Sequence, residues 1–134
     1  MLPHLSHDDG RKLDLAFYYG ADEYLPGETP SPLGYWGFHE PDAKLPKICN
    51  EDNFLTLRWD MNWFQSFVRD DLTLDSARTA TMLRWLAKEG AKGGVEKILL
   101  EPHLRTRFSL PASMVRFQGC RAARHDDHVH LQIK

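Results

Sequence analysis

Three histidines and two aspartates stand within six residues near the end of the chain: His125, Asp126, Asp127, His128 and His130. These are the side chains that hold metals and move protons near neutral pH. From Asp127 onward Val129, Leu131 and Ile133 alternate with His128, His130 and Gln132, and this period of two predicts a half-buried strand with both histidines on one face. Two imidazoles side by side on a strand can grip a metal. The aspartates just upstream, Asp126 and Asp127, can accept from ring N–H groups and orient them. A His-x-His by itself is a weak signal, so a further ligand has to come from elsewhere in the chain.

The start of the chain offers one. After Gly10, a turn residue, Leu13, Leu15 and Phe17 alternate with Asp14 and Ala16, which predicts a loop feeding a strand. A carboxylate on the inward face of a strand is costly unless it is paired or bound to a cation. His7, earlier on the loop, can fold back to meet Asp14. Histidine, aspartate and histidine form a three-ligand set that suits zinc and leaves a fourth position for water, as catalytic rather than structural sites do. Zinc lowers the pKa of bound water from about 15.7 to about 7 and polarises a carbonyl that enters the site.

The H-x6-D pair of His7 and Asp14, followed far downstream by H-x-x-H-x-H over His125, His128 and His130, resembles the motifs of a group of zinc metallopeptidases. That group holds the lysostaphin-type enzymes, the D-Ala-D-Ala peptidases and the hedgehog signalling domain. Within it the chain resembles the penicillin-insensitive murein endopeptidases, with weaker similarity through "RWDMNWFQSFV" and "VEKILLEPHLRTRF". The resemblance implies one Zn2+ per chain, held by His7, Asp14 and His130. It makes His128 the unligated partner beside the metal and His125 its neighbour across the substrate, serving as general base or oxyanion partner. His4 matches a further histidine of the family, and Asp126 and Asp127 are expected as acceptors for imidazole N–H groups. Related dipeptidases place a glutamate base three residues before the last ligand, the spacing of Asp127. Aspartate is a methylene shorter, which favours histidine as the base.

The implied activity is hydrolysis of the D-alanyl to meso-diaminopimelate amide bond in peptidoglycan cross-links. Stem peptides are then the partner and the periplasm or cell exterior the location. The alternative, from a different class, is a zinc-stabilised cell-wall or peptide-binding module without catalysis, since a fold can be reused without its activity. Family members ordinarily carry a signal peptide and a further strand ahead of the first histidine motif, whereas here Met1 stands six residues ahead of His7. The expectation is one metallopeptidase domain over residues 1–134 that lacks an N-terminal strand, as a fragment of a longer protein or a trimmed variant.

The elements that must position these residues are legible in outline. A length of 134 residues suits one domain with a real core. The net charge is −2, with basic residues scattered, so there is no electrostatic footprint for nucleic acid. No apolar run approaches the ~20 residues of a membrane span, and the first residues lack the pattern of a secretory signal. Residues 25–53 form a long Pro/Gly-rich loop with Tyr35, Trp36 and Phe38, suited to a lid or a wall of a substrate cleft. "NFLTLRW" predicts a short strand and "MNWFQSFVRD" a short helix capped by Asp60. Asp75 caps a stronger helix, "SARTATMLRWLAKEG", with Ala80, Leu83, Leu86 and Ala87 at helical spacing, Met82 and Trp85 in the core and Gly90 as the stop. "VEKILLEP" predicts a buried strand ended by Pro102. The order suggests an α+β domain, a mostly antiparallel sheet carrying the zinc site with helices on one face. Cys49 and Cys120 are either free thiols or one disulfide. His39 and His103 have no partner in the motifs and are expected at the surface.

Overall fold

The computed structural model describes residues 9–20, 29–30, 39–45, 47–49, 58 and 72–134. Its elements are β1 (Lys12–Ala16), β2 (Tyr19–Gly20), β3 (Thr73–Leu74), α1 (Ser76–Glu89), a 3-10 turn (Gly90–Gly93), β4 (Val95–Leu99), α2 (Pro102–Arg107), β5 (Val115–Arg116) and β6 (His128–Ile133). Four strands form a sheet in the order β1-β6-β4-β5, and β2 and β3 pair separately. The fold class is α+β. β6 runs antiparallel to both of its neighbours, while β4 and β5 are parallel, so the main sheet is mixed. Bringing the last strand in beside the first is what sets Asp14 opposite His130.

The alternation of β6 holds for two of its three apolar residues: Val129 and Leu131 enter the hydrophobic core with Ile98, Leu100, Val115, Phe17 and Tyr19, while Ile133 at the strand's end is exposed. The strand is buried further than a half-buried strand would be, because His128 and His130 on its other face are each only 5% exposed. Along β1 and just past it the apolar side grades from exposed to buried, with Leu13 exposed, Leu15 partly buried and Phe17 buried. Among the described residues β1 lies at the edge of the main sheet.

α1 begins where its cap requires. The Asp75 carboxylate accepts the Arg78 N–H at 2.9 Å, satisfying one of the amides a helix start leaves open. Thr79, Ala80, Leu83 and Leu86 form its buried stripe, each large apolar member contributing about 1.5–3 kcal/mol. Trp85 is not in the core: it is 61% exposed, because two residues from Leu83 it lies roughly 200° round the helix. Met82 packs at the core margin. Gly90 ends the α-helix in right-handed geometry, and the left-handed residue is Gly94 at φ +92° after the 3-10 turn. Gly90 is a close approach instead, since a Cβ there would lie 3.2 Å from the Val95 side chain.

The expected strand "NFLTLRW", apart from Arg58, and the helix "MNWFQSFVRD" lie outside the described residues, as do Tyr35, Trp36 and Phe38. Cys49 and Cys120 form a disulfide with Cα atoms 5.4 Å apart. Among the described residues no helix is long and apolar enough to cross a membrane.

Candidate functional site

The β1–β6 ladder builds the first half of the site. Asp14 and His130 are directly paired, so their side chains emerge on one face. The Asp14 Oδ1 and His130 Nδ1 atoms lie 2.6 Å apart with both side chains under 10% exposed. His128 shares that face two residues earlier, opposite Ala16, whose small side chain leaves the histidine room. The Asp127 carboxylate accepts from His128 Nδ1 at 2.5 Å. Its other oxygen, Oδ2, is buried without a hydrogen-bond partner among the described residues.

His125 completes the cluster from the irregular segment ahead of β6. Its ring centroid lies 5.0 Å from that of His128 and 5.5 Å from that of His130. His125 thus packs against the histidine face of the strand. Asp126 turns elsewhere. Its carboxylate accepts from Arg124 Nε and Nη2, so an imidazole partner expected from the sequence is replaced by a guanidinium. His4 and His7 lie outside the described residues.

The sequence reading missed a layer of groups behind this cluster. His39 and His103 are half-buried rather than superficial. His103 Nε2 donates to the His39 carbonyl at 2.6 Å, and His39 Nε2 lies 3.1 Å from the Tyr19 hydroxyl, which donates to the Asp127 carbonyl at 3.4 Å. The 39–49 stretch of the long loop is fastened to the site segment by the His39 N–H to Asp126 carbonyl bond, a Glu40–Arg124 ion pair at 2.8 Å and the Cys49–Cys120 disulfide. A small cleft opens between them, lined by Glu40, Lys47, Arg58, Glu101, His103 and Arg124 among others. A signal for one of these was available: Glu101 is a charge at the end of the buried run "ILLEP", and a carboxylate there needs a partner.

The electrostatics divide the two imidazoles that have no metal-ligand role in the motif. Burial, followed by the neighbouring His128 and His130, pushes His125 down to about 3, so it is neutral at pH 7. Burial also opposes charge on His128, but the Asp127 carboxylate outweighs it and raises the pKa. Two titratable groups of one kind pushed apart by their surroundings are a mark of acid–base assignment. Burial lowers His39 and His103 as well, and it pushes Asp126 up to about 7 against the pull of Arg124.

The donor set can be tested against zinc. Adjacent imidazole nitrogen and carboxylate oxygen are ligand types zinc takes, and the Asp14–His130 pair offers both from a rigid ladder. Among the described residues no group of three or more His, Cys, Asp or Glu is gathered to hold a metal. The pair therefore fits a zinc site that needs one more ligand, the role in which the sequence sets His7. Comparison with family models, with curated proteins and with solved structures returns no match for this chain.

Proposed function

We propose that this chain is a zinc metallopeptidase of the murein endopeptidase type, hydrolysing the D-alanyl to meso-diaminopimelate amide bond of peptidoglycan cross-links. The observation that carries the reading is the convergence of Asp14 and His130 with two further buried imidazoles, one of them braced by a carboxylate. A purely structural metal site has no use for the extra pair. His7, Asp14 and His130 would hold the metal, and when bound zinc supplies the Lewis acidity that amide hydrolysis needs. The chain's own groups do the rest. His128, with Nδ1 held by Asp127, keeps Nε2 for taking a proton and handing it to the leaving amine. His125, neutral and opposite, is placed to donate to a carbonyl oxygen as negative charge grows on it. The sheet is the platform, and the loop over residues 39–49 is one wall of the cleft. The disulfide suits an oxidising compartment such as the periplasm or cell exterior.

Metal analysis joined to digestion of cross-linked muropeptides tests this. About one zinc per chain, and zinc-dependent conversion of cross-linked dimers to monomers by mass spectrometry, are the expected results. Full zinc without cleavage would leave a zinc-stabilised binding module, and cleavage by metal-free protein would remove the metalloenzyme reading altogether.

A further inference from the structure

Of the three clustered imidazoles, His125 is the one that no strand holds, since residues 117–127 form neither strand nor helix. Its backbone is nevertheless gripped at both polar groups by a single residue. The Glu101 N–H donates to the His125 carbonyl at 3.0 Å, and the His125 N–H donates back to Glu101 Oε1 at 3.3 Å. Glu101 is itself immobilised: Arg58 Nη1 and Nη2 donate to Oε1 and Oε2, each at 3.0 Å, and the two side chains are only 10% and 6% exposed. Bidentate guanidinium–carboxylate pairing fixes direction as well as distance.

The place of Glu101 in the chain sharpens the point. It is the N-cap residue of α2, where a carboxylate ordinarily accepts from the helix's first amides, yet its side chain makes no capping bond. That carboxylate is spent on Arg58 and His125 instead. The backbone just before it is held in the sheet by the Leu100 N–H to Arg116 carbonyl bond at 3.0 Å. β4 thus delivers Glu101 to His125 from a fixed base.

We propose that Glu101, clamped by Arg58, is the positioning residue that sets His125 over the strand histidines. This rests on the reading of His125 as a group that meets substrate. Removing the carboxylate releases the His125 N–H, leaves the Glu101 N–H to His125 carbonyl bond as a single hinge, and lets the ring swing about it. Asp14, His130, His128 and Asp127, on or next to the ladder, stay in place.

The test uses the full chain as zinc-loaded protein, with Glu101→Ala, Glu101→Gln and Arg58→Lys. Amide hydrogen exchange and the imidazole 15N signals of His125 are followed by NMR beside zinc content and muropeptide turnover. In Glu101→Ala the His125 amide should exchange roughly 10-fold faster or more, with core amides of β4 and β6 unchanged and zinc retained. Turnover should fall roughly 10- to 100-fold in kcat with KM little changed. Glu101→Gln, which keeps an acceptor for the His125 N–H, should recover part of both losses, and Arg58→Lys should fall between. Unchanged His125 exchange and turnover in folded Glu101→Ala overturns the proposal. Should that variant fail to fold, Glu101→Gln and Arg58→Lys decide, and His125 signals and turnover identical to the parent in both overturn it equally. If the parent chain cleaves no muropeptide, the enzymatic reading fails by itself, while His125 exchange still decides whether Glu101 positions it.

Discussion

His125, His128 and His130 are the same side chain put to different uses by what stands beside each. His130 meets Asp14 across a ladder, His128 meets Asp127 just ahead of its strand, and the His125 ring lies beside the other two imidazoles and is kept neutral first by burial. Asp14→Ala should therefore abolish zinc retention after dialysis, because it removes the proposed oxygen ligand next to His130. His128→Ala should keep zinc yet cut muropeptide cleavage by roughly 100-fold or more, the usual scale for losing a positioned proton-transfer group. If metal analysis shows the reverse, zinc lost with His128 and kept without His130, the two roles are exchanged. Asp127→Asn should give a smaller loss than His128→Ala, since the amide keeps shape but no longer favours the charged imidazole.

At the scale of elements, two local features set stability in ways that can be measured. The Cys49–Cys120 disulfide spans 71 residues and fastens the long loop to the segment that leads into His125. Cross-linking so distant a pair restricts the unfolded chain, and a Cys49→Ser/Cys120→Ser variant should lose about 2–4 kcal/mol of stability in urea titration. A midpoint equal to that of the parent would show that the link does not constrain the fold. The cap of α1 makes a smaller and cleaner case: Asp75→Ala removes the acceptor for the Arg78 N–H and should cost about 1 kcal/mol by the same measurement. A change within error would mean that water replaces the carboxylate without loss.

For the whole molecule the buried titratable groups set the response to acid. His39, His103 and His125 are all lowered, each first through burial, so below the ordinary histidine value of about 6.5 the unfolded chain binds protons there that the folded chain does not. Stability from these groups is complete above that value and declines as pH falls. Among the described residues Asp126, pushed up to about 7, acts the other way and offsets part of that decline. His128, raised, contributes stability present below about 6.5 and lost as pH rises through its folded pKa, and so leaves the acid window untouched. Metal-free protein should thus lose stability between about pH 6.5 and 5, and His39→Asn/His103→Asn should flatten that dependence; an unchanged urea midpoint across the window would contradict it. The sequence alone was enough for what depends on neighbours in the chain: the β6 alternation, the Asp75 cap with its helix, the β4 run and the common face of His128 and His130, because strand and helix periods are local geometry. It was enough, too, to single out Asp14 as a carboxylate in want of a partner. Tertiary structure decided what depends on residues distant in sequence. It turned Asp126 to Arg124 rather than to an imidazole, drew His39 and His103 inward, left Trp85 outside, joined the cysteines, and set Glu101 and Arg58 behind His125. Each of those outcomes is a choice of partner for a charge, a thiol or an apolar surface, and the partner that wins is the one the assembled fold brings within reach.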